Sequence, residues 1–525
     1  MRHDVYGGRR VGLLLLVLAV SACSRATRSA AVATPAPTPA ERLASADALV
    51  RAGCLDCLIA AFDEYDLLRA FPSGKEAGTA GAVRSAALIA LRERELGMAD
   101  EGYGQRARAL LAGTGTLPAW LPTLLDIIDA LPPGGMMRPP TSDIDLERGR
   151  VLRINHDAWS ARLRELAPID ELGAYLWLAF TCGASETRNL TLDQLFEPTA
   201  TLRDAPLIVY RRAICRGVEP EPLHALFQRD PRFIETKYSL GRYDVGLLVA
   251  GQDKLDEAGR QFEEAYAWRT EWPALTQAIA NLAMTVEEFD RASSFYDRTL
   301  ELEPHAVDAL LGKARALTYL GRNVDAIATV DLLMAERWFL GDARYWRALN
   351  EAELERYDEA WSDIEVAAKL LVNAEVPKLA GLISYRRREL EVSRAQFEES
   401  RGRNPRDCET GFYLGVVLAE QRVWTRTAEV LVEAGQCLEA AERAYMDEIA
   451  SIRASHDPPT RQASKIARRE QYIAKGRRQM ATSWYDVAVA YYNLSQNADA
   501  RQFAEKVASD EQFGARAREL IARLK

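Results

Sequence analysis

Two cysteines with a spacing used in thiol chemistry stand near the start of the chain, in the segment Cys54-Leu55-Asp56-Cys57. A CxxC pair is redox-active when a helix N-terminus beside a βαβ unit lowers the pKa of its first thiol. No strand pattern lies near this pair, and the flanking sequence places it in a turn between two helices. A metal site is disfavoured, because no second pair of ligands stands nearby. We therefore interpret Cys54 and Cys57 as a structural disulfide or an unreactive thiol pair, with a redox enzyme as the weaker alternative.

No other arrangement of residues in the sequence predicts a reaction. The motifs HExxH, GxSxG, the phosphate-binding loop and the dinucleotide-binding GxGxxG after a strand are all missing. The five histidines are scattered along the chain. Adjacent acidic residues such as Glu263 and Glu264 do not face each other on a helix, so they make a poor general acid/base pair. The sequence therefore predicts a protein that is not an enzyme, with no catalytic residue, no metal site and no cofactor.

A period of 34 residues organises the middle of the chain. Small residues recur at this interval in Ala258, Ala292, Ala326 and Ala360. Four places after each of them stands a bulky residue: Phe262, Tyr296, Val330 and Ile364. Seven places after each stand mostly small residues: Ala265, Thr299, Leu333 and Ala367. Twelve places before each stands another small residue: Gly246, Ala280, Ala314 and Ala348. This pattern resembles the tetratricopeptide repeat (TPR), a helix–turn–helix unit of 34 residues. The resemblance implies an all-α fold, a right-handed superhelix of stacked helical hairpins, because one hairpin cannot cover its own apolar face.

The rest of the chain divides around this array. We expect regular repeats over residues 239–440, an irregular long helical hairpin over 441–480, and a final repeat with a capping helix over 481–525. Residues 41–112 fit repeat-like hairpins. Residues 113–238 fit the pattern poorly, and the sequence leaves open whether they are degenerate repeats or an inserted helical region.

The first forty residues have the pattern of a bacterial export signal. A pair of arginines precedes the apolar run Val11–Val20, which is too short to cross a bilayer core of roughly 30 Å. The segment Val20-Ser21-Ala22-Cys23 resembles the lipobox of bacterial lipoproteins, in which the signal is cut before the cysteine and the cysteine receives lipid. We therefore expect residues 1–22 to be a lipoprotein signal peptide, Cys23 to be lipidated, and residues 23–40 to be an Ala/Pro-rich tether.

Six cysteines remain after the predicted lipid-bearing one, and they allow fifteen pairings. Cys408 begins the first helix of a repeat and Cys437 ends its second helix, so antiparallel packing brings them together. Cys182 and Cys215 lie near the ends of helices separated by one short segment. The candidate disulfides are therefore Cys54–Cys57, Cys182–Cys215 and Cys408–Cys437.

Composition narrows the class of protein. The chain has 525 residues, of which 48% are hydrophobic and 27% charged, values that exclude a disordered chain and a multi-span membrane protein. A net charge of −9 disfavours a nucleic-acid binder. One basic stretch, residues 461–478, would suit an anionic lipid or an acidic partner. We interpret it first as a solvated helix face.

In the TPR family the first helix of each repeat lines a concave surface where partners bind, and repeat positions 2, 5, 9, 12 and 13 face inward. The candidate residues of this groove at inward position 5 are Tyr243, Gln277, Leu311, Tyr345, Lys378, Phe412 and Tyr485. Position 9 adds Asn281 and Arg315. Aromatic rings with a few amides and charges suit an extended peptide or a helix of another protein. The alternative is that these rings pack between repeats.

Together the repeats and the lipobox suggest a non-enzymatic, lipid-anchored scaffold for protein–protein interactions in the bacterial cell envelope, at the outer membrane facing the periplasm. Assembly of an outer-membrane, pilus or export complex is the candidate context, and no nucleic acid is expected as a partner. A glycan- or solute-binding lipoprotein is the alternative, since the helical starch-binding family also combines a lipobox with TPR-like units. A thiol-redox enzyme is the third possibility.

Overall fold

The structure is a computed structural model that describes residues 37–112, 118–131, 143–182, 189–335 and 340–524. Within these ranges the chain folds into helices and contains no strand. The predicted all-α solenoid of helical hairpins is confirmed. The predicted signal peptide, the candidate lipid site Cys23 and most of the tether lie outside the described residues.

No helix in the described parts of the chain combines the length and the apolar character that a membrane span needs.

Two hairpins open the described chain. Their helices are α1 (Pro39–Ala52), α2 (Leu55–Leu68), α3 (Lys75–Leu96) and α4 (Tyr103–Ala112). Thr38 begins α1 as the N-cap of a capping box with Glu41, which satisfies backbone N–H groups that have no partner within the helix. Cys54 plays the corresponding role for α2, because its sulfur accepts the backbone N–H of Cys57.

Shorter and irregular helices follow. They are α5 (Leu121–Ala130), α6 (Asp143–Leu166), α7 (Glu171–Thr181), α8 (Leu192–Phe196), a 3₁₀ helix (Glu197–Leu202), α9 (Pro206–Ala213) and α10 (Pro220–Arg229). One hydrophobic core runs from Ala46 through this region to Val286. The residues before and after the irregular region are in direct contact, since Trp272 Nε1 donates a hydrogen bond to the carbonyl oxygen of Leu96 at 2.7 Å.

Regular hairpins form the centre of the molecule. Their helices are α11 (Glu235–Leu247, followed by a 3₁₀ turn at Leu248–Ala250), α12 (Leu255–Trp268), α13 (Pro273–Thr285), α14 (Phe289–Leu302), α15 (Val307–Tyr319), α16 (Asn323–Ala335), α17 (Leu340–Glu353), α18 (Tyr357–Leu370), α19 (Glu375–Arg386), α20 (Leu390–Arg403) and α21 (Cys408–Glu420). The turn between the two helices of a unit recurs with the period of the sequence. It places a residue with φ between 59° and 70° at Glu287, Gly321, Glu355, Arg388, Arg422 and Ser495.

The repeat requires its small residues because a bulky side chain packs against each of them. A Cβ atom added at Gly381 would lie 2.9 Å from the ring of Phe397, and one at Gly415 would lie 2.2 Å from Leu431. The first unit departs from the predicted register: Gly246 is exposed, and the residue facing Phe262 is Gly241. The assignment of Gly246 to this column was therefore wrong, because a 3₁₀ turn lengthens the loop after α11.

The C-terminal part contains two helices of exceptional length. The last four helices are α22 (Trp424–Ala454), α23 (Pro459–Asn493), α24 (Asn497–Lys506) and α25 (Gly514–Arg523). The second helix α18 has 14 residues, whereas α22 has 31 and α23 has 35. The end of α22 and the start of α23 thus extend beyond the repeat as an antiparallel pair. We call residues 438–480 the long hairpin and residues 455–469 its tip.

Candidate interaction surface

First helices of successive repeats place polar side chains on one face of the solenoid, because the period returns equivalent positions to the same side. Asn281 on α13 is exposed, and its Oδ1 accepts a hydrogen bond from the Tyr296 hydroxyl at 2.6 Å. Arg315 on α15 is also exposed, and its guanidinium carbon lies 5.6 Å from the ring centroid of Trp346 on α17. Asn281 and Arg315 offer an amide and a cation to a partner from two adjacent hairpins, and Trp346 lies on a third.

An aromatic row crosses the same three hairpins. It consists of Phe289, Tyr319 and Trp346. The rings of Phe289 and Tyr319 are stacked with centroids 4.7 Å apart, and the rings of Tyr319 and Trp346 meet edge to face at 6.2 Å. Tyr319 is 45% exposed, so part of the row faces solvent. Flat rings beside a guanidinium can bind apolar or aromatic side chains of a partner.

Sequence reasoning missed the aromatic row. Tyr319 could have been found from the sequence, because it stands five places after the small residue Ala314, at inward position 13 of the repeat. Phe289 begins a second helix and Trp346 lies beside the predicted Tyr345, so neither follows from an inward position. The nearness of these rings depends on how neighbouring hairpins are rotated against each other.

Some of the predicted groove residues pack between repeats instead. Phe412 is 8% exposed and belongs to a core cluster with Leu431 and Val487, so it leaves no face for a partner. Tyr485 stacks on Phe513, with ring centroids 5.0 Å apart. These two rings therefore pack between repeats, which was the alternative to a role in the groove.

The remaining predicted aromatic and apolar positions are half-buried. Burial raises the pKa of Tyr345 to about 12, and its ring meets Trp346 edge to face at 5.5 Å. Gln277 on α13 and Leu311 on α15 are likewise half-buried. In the first unit the register is shifted, so Tyr238 and not Tyr243 takes the position that corresponds to Tyr345. The ring centroids of Tyr238 and Trp272 lie 4.7 Å apart.

Lys378 is enclosed by acidic groups where the long hairpin leaves the solenoid. Its Nζ lies 3.0 Å from carboxylate oxygens of both Asp407 and Glu409. Burial by itself would lower the pKa of Lys378, but Glu409 and Asp407 outweigh it and raise the pKa above the ordinary value. Lys475 of the long hairpin also pairs with Glu409, at 2.5 Å. The hairpin therefore covers this end of the surface.

The basic stretch of the sequence supplies the tip of the long hairpin, and the tip reaches the turns of the first and second hairpins of the regular array. Arg461 Nε lies 2.7 Å from Glu288, and its Nη1 lies 2.8 Å from Asp256. Arg469 pairs with Glu287. The interpretation of these arginines as a solvated helix face was therefore wrong, because they neutralise acidic residues about 200 positions earlier in the chain.

The tip also covers one end of the aromatic row. The guanidinium carbon of Arg468 lies 4.1 Å from the ring centroid of Phe289 and 5.8 Å from that of Tyr319. Its Nε lies 3.6 Å from a carboxylate oxygen of Glu287. Arg315 and Arg468 thus approach opposite ends of the same row of rings.

A second arginine cluster lies buried at the N-terminal end. Arg92 on α3 is fully buried, and it donates to Glu235 on α11 at 2.9 Å and to the Tyr175 hydroxyl on α7 at 2.7 Å. Glu95 pairs with both Arg92 and Arg211. This cluster joins four separate helices, α3, α7, α9 and α11, and no local pattern in the sequence indicated it.

The six cysteines form the three candidate disulfides in the structure. The Cα–Cα distances are 4.9 Å for Cys54–Cys57, 5.1 Å for Cys182–Cys215 and 5.4 Å for Cys408–Cys437. Cys54 and Cys57 are 0% and 1% exposed. Because neither is accessible, the CxxC pair offers no exposed sulfur for thiol–disulfide exchange with a substrate.

Within the described ranges, no group of three or more His, Cys, Asp or Glu residues is placed to hold a metal ion.

Comparison with known proteins finds no matching family model and no matching curated protein. Solved structures with similar helix arrangements are TPR proteins. YrrB, a TPR protein with an unusual peptide-binding site, is 23% identical, covers 34% of this chain and 91% of its own, and has a TM-score of 0.29. A TPR protein from Parabacteroides merdae is 14% identical, covers 55% and 98%, and scores 0.33. The Cut9–Hcn1 hetero-tetramer is 11% identical, covers 93% and 90%, and scores 0.40. At these scores, the fold assignment rests on the helices of this chain itself.

Proposed function

We propose that the protein is a non-enzymatic scaffold whose solenoid binds a segment of another protein, and that lipid on Cys23 holds it in the bacterial cell envelope. One observation carries the binding part of the proposal: Asn281, Arg315 and the aromatic row stand together on adjacent hairpins. Rings with one amide and one cation provide apolar contact and a few directional hydrogen bonds, which suits an extended or helical protein segment.

The absence of a recognisable catalytic arrangement in the sequence supports a binding role. The CxxC pair is buried in a disulfide, which disfavours the thiol-redox alternative. Among protein partners, components of an outer-membrane, pilus or export complex match the expected location at the outer membrane facing the periplasm. The motif around Cys23 supports this location.

Site-specific photocrosslinking in living cells tests the binding surface. A photoreactive amino acid at Trp346 reports on the aromatic row, and one at Leu332, which is 63% exposed on the second helix α16, serves as the control on another face. We expect Trp346 to give a discrete crosslinked protein that Leu332 does not give, and Tyr319→Ala to weaken that crosslink. Equal products from both positions, or crosslinks to polysaccharide only, would contradict a protein-binding surface.

Replacement of the candidate lipid site tests the anchor separately. Cys23→Ser should abolish incorporation of a labelled fatty acid and move the protein from the membrane fraction to the soluble fraction. Two lipid chains or more give stable anchoring, so the loss should be nearly complete. Unchanged membrane association with no labelled wild-type protein would reject the lipoprotein assignment while leaving the binding surface untouched.

A further inference from the structure

The long hairpin is fixed to the solenoid at its base by apolar packing and a disulfide. A Cβ atom at Gly435 would lie 2.4 Å from the ring of Trp484, so α22 and α23 are in close contact there. The Cys408–Cys437 bond ties the end of the repeat part of α22 to the start of α21. The direction in which the hairpin leaves the solenoid is therefore well determined.

The contacts of the tip are of a different kind. Arg461 and Arg469 form ion pairs with Asp256, Glu287 and Glu288, and Arg468 covers a ring of the aromatic row. The side chain of Asp256 is 57% exposed and those of Glu287 and Glu288 are each 23% exposed, while those of Arg461 and Arg469 are 13% and 18% exposed, so water reaches both sides of each pair. Ion pairs open to solvent contribute about 1 kcal/mol or less each and are weakened by salt. The tip is therefore held by forces that can be released without unfolding either partner.

The two attachment points lie on different parts of the solenoid. At the base Lys475 reaches Glu409 at inward position 2 on α21, and at the tip Arg468 reaches Tyr319 at inward position 13 on α15. The hairpin therefore bridges the inner side of the repeats between α15 and α21. A protein segment that binds the aromatic row has to share this space with the hairpin.

From this geometry we infer that the long hairpin is a latch, whose tip covers Phe289 and one side of Tyr319 when it is paired with the turns and uncovers them when those ion pairs release. That the uncovered rings bind a partner rests on the proposed function. The latch itself depends only on contacts within the chain, and it can be tested without any partner.

Pulsed electron paramagnetic resonance on a doubly labelled chain measures the latch directly. Spin labels at His456→Cys on the tip and Asp290→Cys beside the turn use two exposed positions, in a background in which Cys23 is replaced by serine. We expect one short distance at about 0.1 M salt and its replacement by a broad, longer distribution at about 1 M, because the Debye length falls from about 10 Å to about 3 Å.

Charge-reversed variants identify the pairs responsible. Arg461→Glu with Arg469→Glu should lose the short distance already at low salt, and adding Glu287→Arg and Glu288→Arg should restore it. Arg478→Glu reverses an exposed charge on the same helix and should leave the distance unchanged. Helical circular dichroism shows that each variant is folded. A short distance that persists in Arg461→Glu/Arg469→Glu and in wild-type protein at high salt would overturn the latch.

Crosslinking separates the latch from the proposed function. If the tip opens in these variants and the Trp346 crosslink becomes stronger, both inferences are supported. If the tip opens and no protein crosslinks at Trp346 in any variant, the latch stands and the proposed binding function fails.

Discussion

Arg92 and Arg461 each join segments of the chain that are far apart in sequence, and each faces more than one acidic side chain, yet their access to solvent differs. Arg92 and its partner Glu235 are both 0% exposed. Arg461 keeps 13% of its side chain exposed, and its partner Asp256 keeps 57%. The same chemical pairing therefore serves as a permanent part of the core in one region and as a releasable contact in the other.

Burial decides the difference because it removes the competing solvent. A fully buried guanidinium that loses a carboxylate has no water to replace it, whereas a partly exposed one can be rehydrated. The Arg92 cluster is also supported by other groups: the Arg92 guanidinium lies 4.2 Å from the Tyr210 ring centroid, and Glu235 accepts the backbone N–H of Leu55 at 3.0 Å.

Replacing Arg92 should have the largest effect on stability. Arg92→Met leaves Glu235 buried without its cation, so we expect the free energy of unfolding to fall by about 3–5 kcal/mol. Urea unfolding followed by circular dichroism measures the change. The double variant Arg92→Met/Glu235→Leu, which removes both charges, should recover part of the loss. A fall of under about 1 kcal/mol for Arg92→Met would mean that burial does not distinguish the two clusters.

The base of the long hairpin should behave like the buried region even though its tip does not. Gly435→Leu forces a side chain into the space of Trp484, and we expect a loss of about 2–3 kcal/mol. Gly402→Ala is the matched control, because a Cβ atom there meets nothing within 4 Å, and it should be neutral or slightly stabilising. Equal unfolding midpoints for the two variants would refute close packing at the base.

A buried carboxyl beside Arg92 should make the N-terminal region sensitive to pH. Burial, with help from Glu101 and Asp100, raises the pKa of Glu93 from 4.5 to about 8. The folded state then binds more protons than the unfolded state between these values, so stability falls as pH rises from about 4.5 to about 8. Glu93→Gln removes this charge and should raise the free energy of unfolding at pH 8 by about 1–2 kcal/mol.

Thermal unfolding of Glu93→Gln and wild-type protein at several pH values checks this sign. The difference between the two should be largest at pH 8 and should shrink as the pH approaches the ordinary value of a glutamate. Asp290→Asn, at an exposed position on α14, serves as the control and should show no such trend. A difference that grows toward acid pH would contradict the raised pKa.

Replacing Arg461 should have the smallest effect on global stability. Arg461→Met removes ion pairs at a partly exposed site, and we expect a loss of about 1 kcal/mol or less that diminishes at high salt. Arg478→Met gives the baseline for an exposed arginine of the same helix. A loss as large as that of Arg92→Met would show that the tip is part of the core, and the latch would then be excluded.

Much of the repeat architecture could be predicted from local residue patterns. The 34-residue spacing of small and bulky residues specifies two antiparallel helices and the face on which they meet, because those contacts lie within one unit or its neighbour. The predicted register is confirmed where Ala280, Ala314 and Ala348 are fully buried. It is wrong at Gly246, where a longer loop shifts the helix against the period.

The candidate surface was predicted less well than the fold. Inward positions identified Asn281 and Arg315, which are exposed, but also Phe412, which is buried. Position within a repeat says which side of a helix a residue occupies. It does not say how deeply the next hairpin covers that side, and this depends on the angle between neighbouring hairpins.

The helical period, the all-α class and the residues that keep helices close all follow from local residue patterns, since they act over short separations along the chain. The contact of Arg92 with Glu235, and that of the hairpin tip with Glu287 and Glu288, could be seen only in the three-dimensional fold. Such contacts depend on small rotations added up over many hairpins. The 34-residue pattern describes each hairpin but not the total rotation between distant hairpins. Which charges are buried, and which form releasable pairs, is therefore visible only in the folded chain.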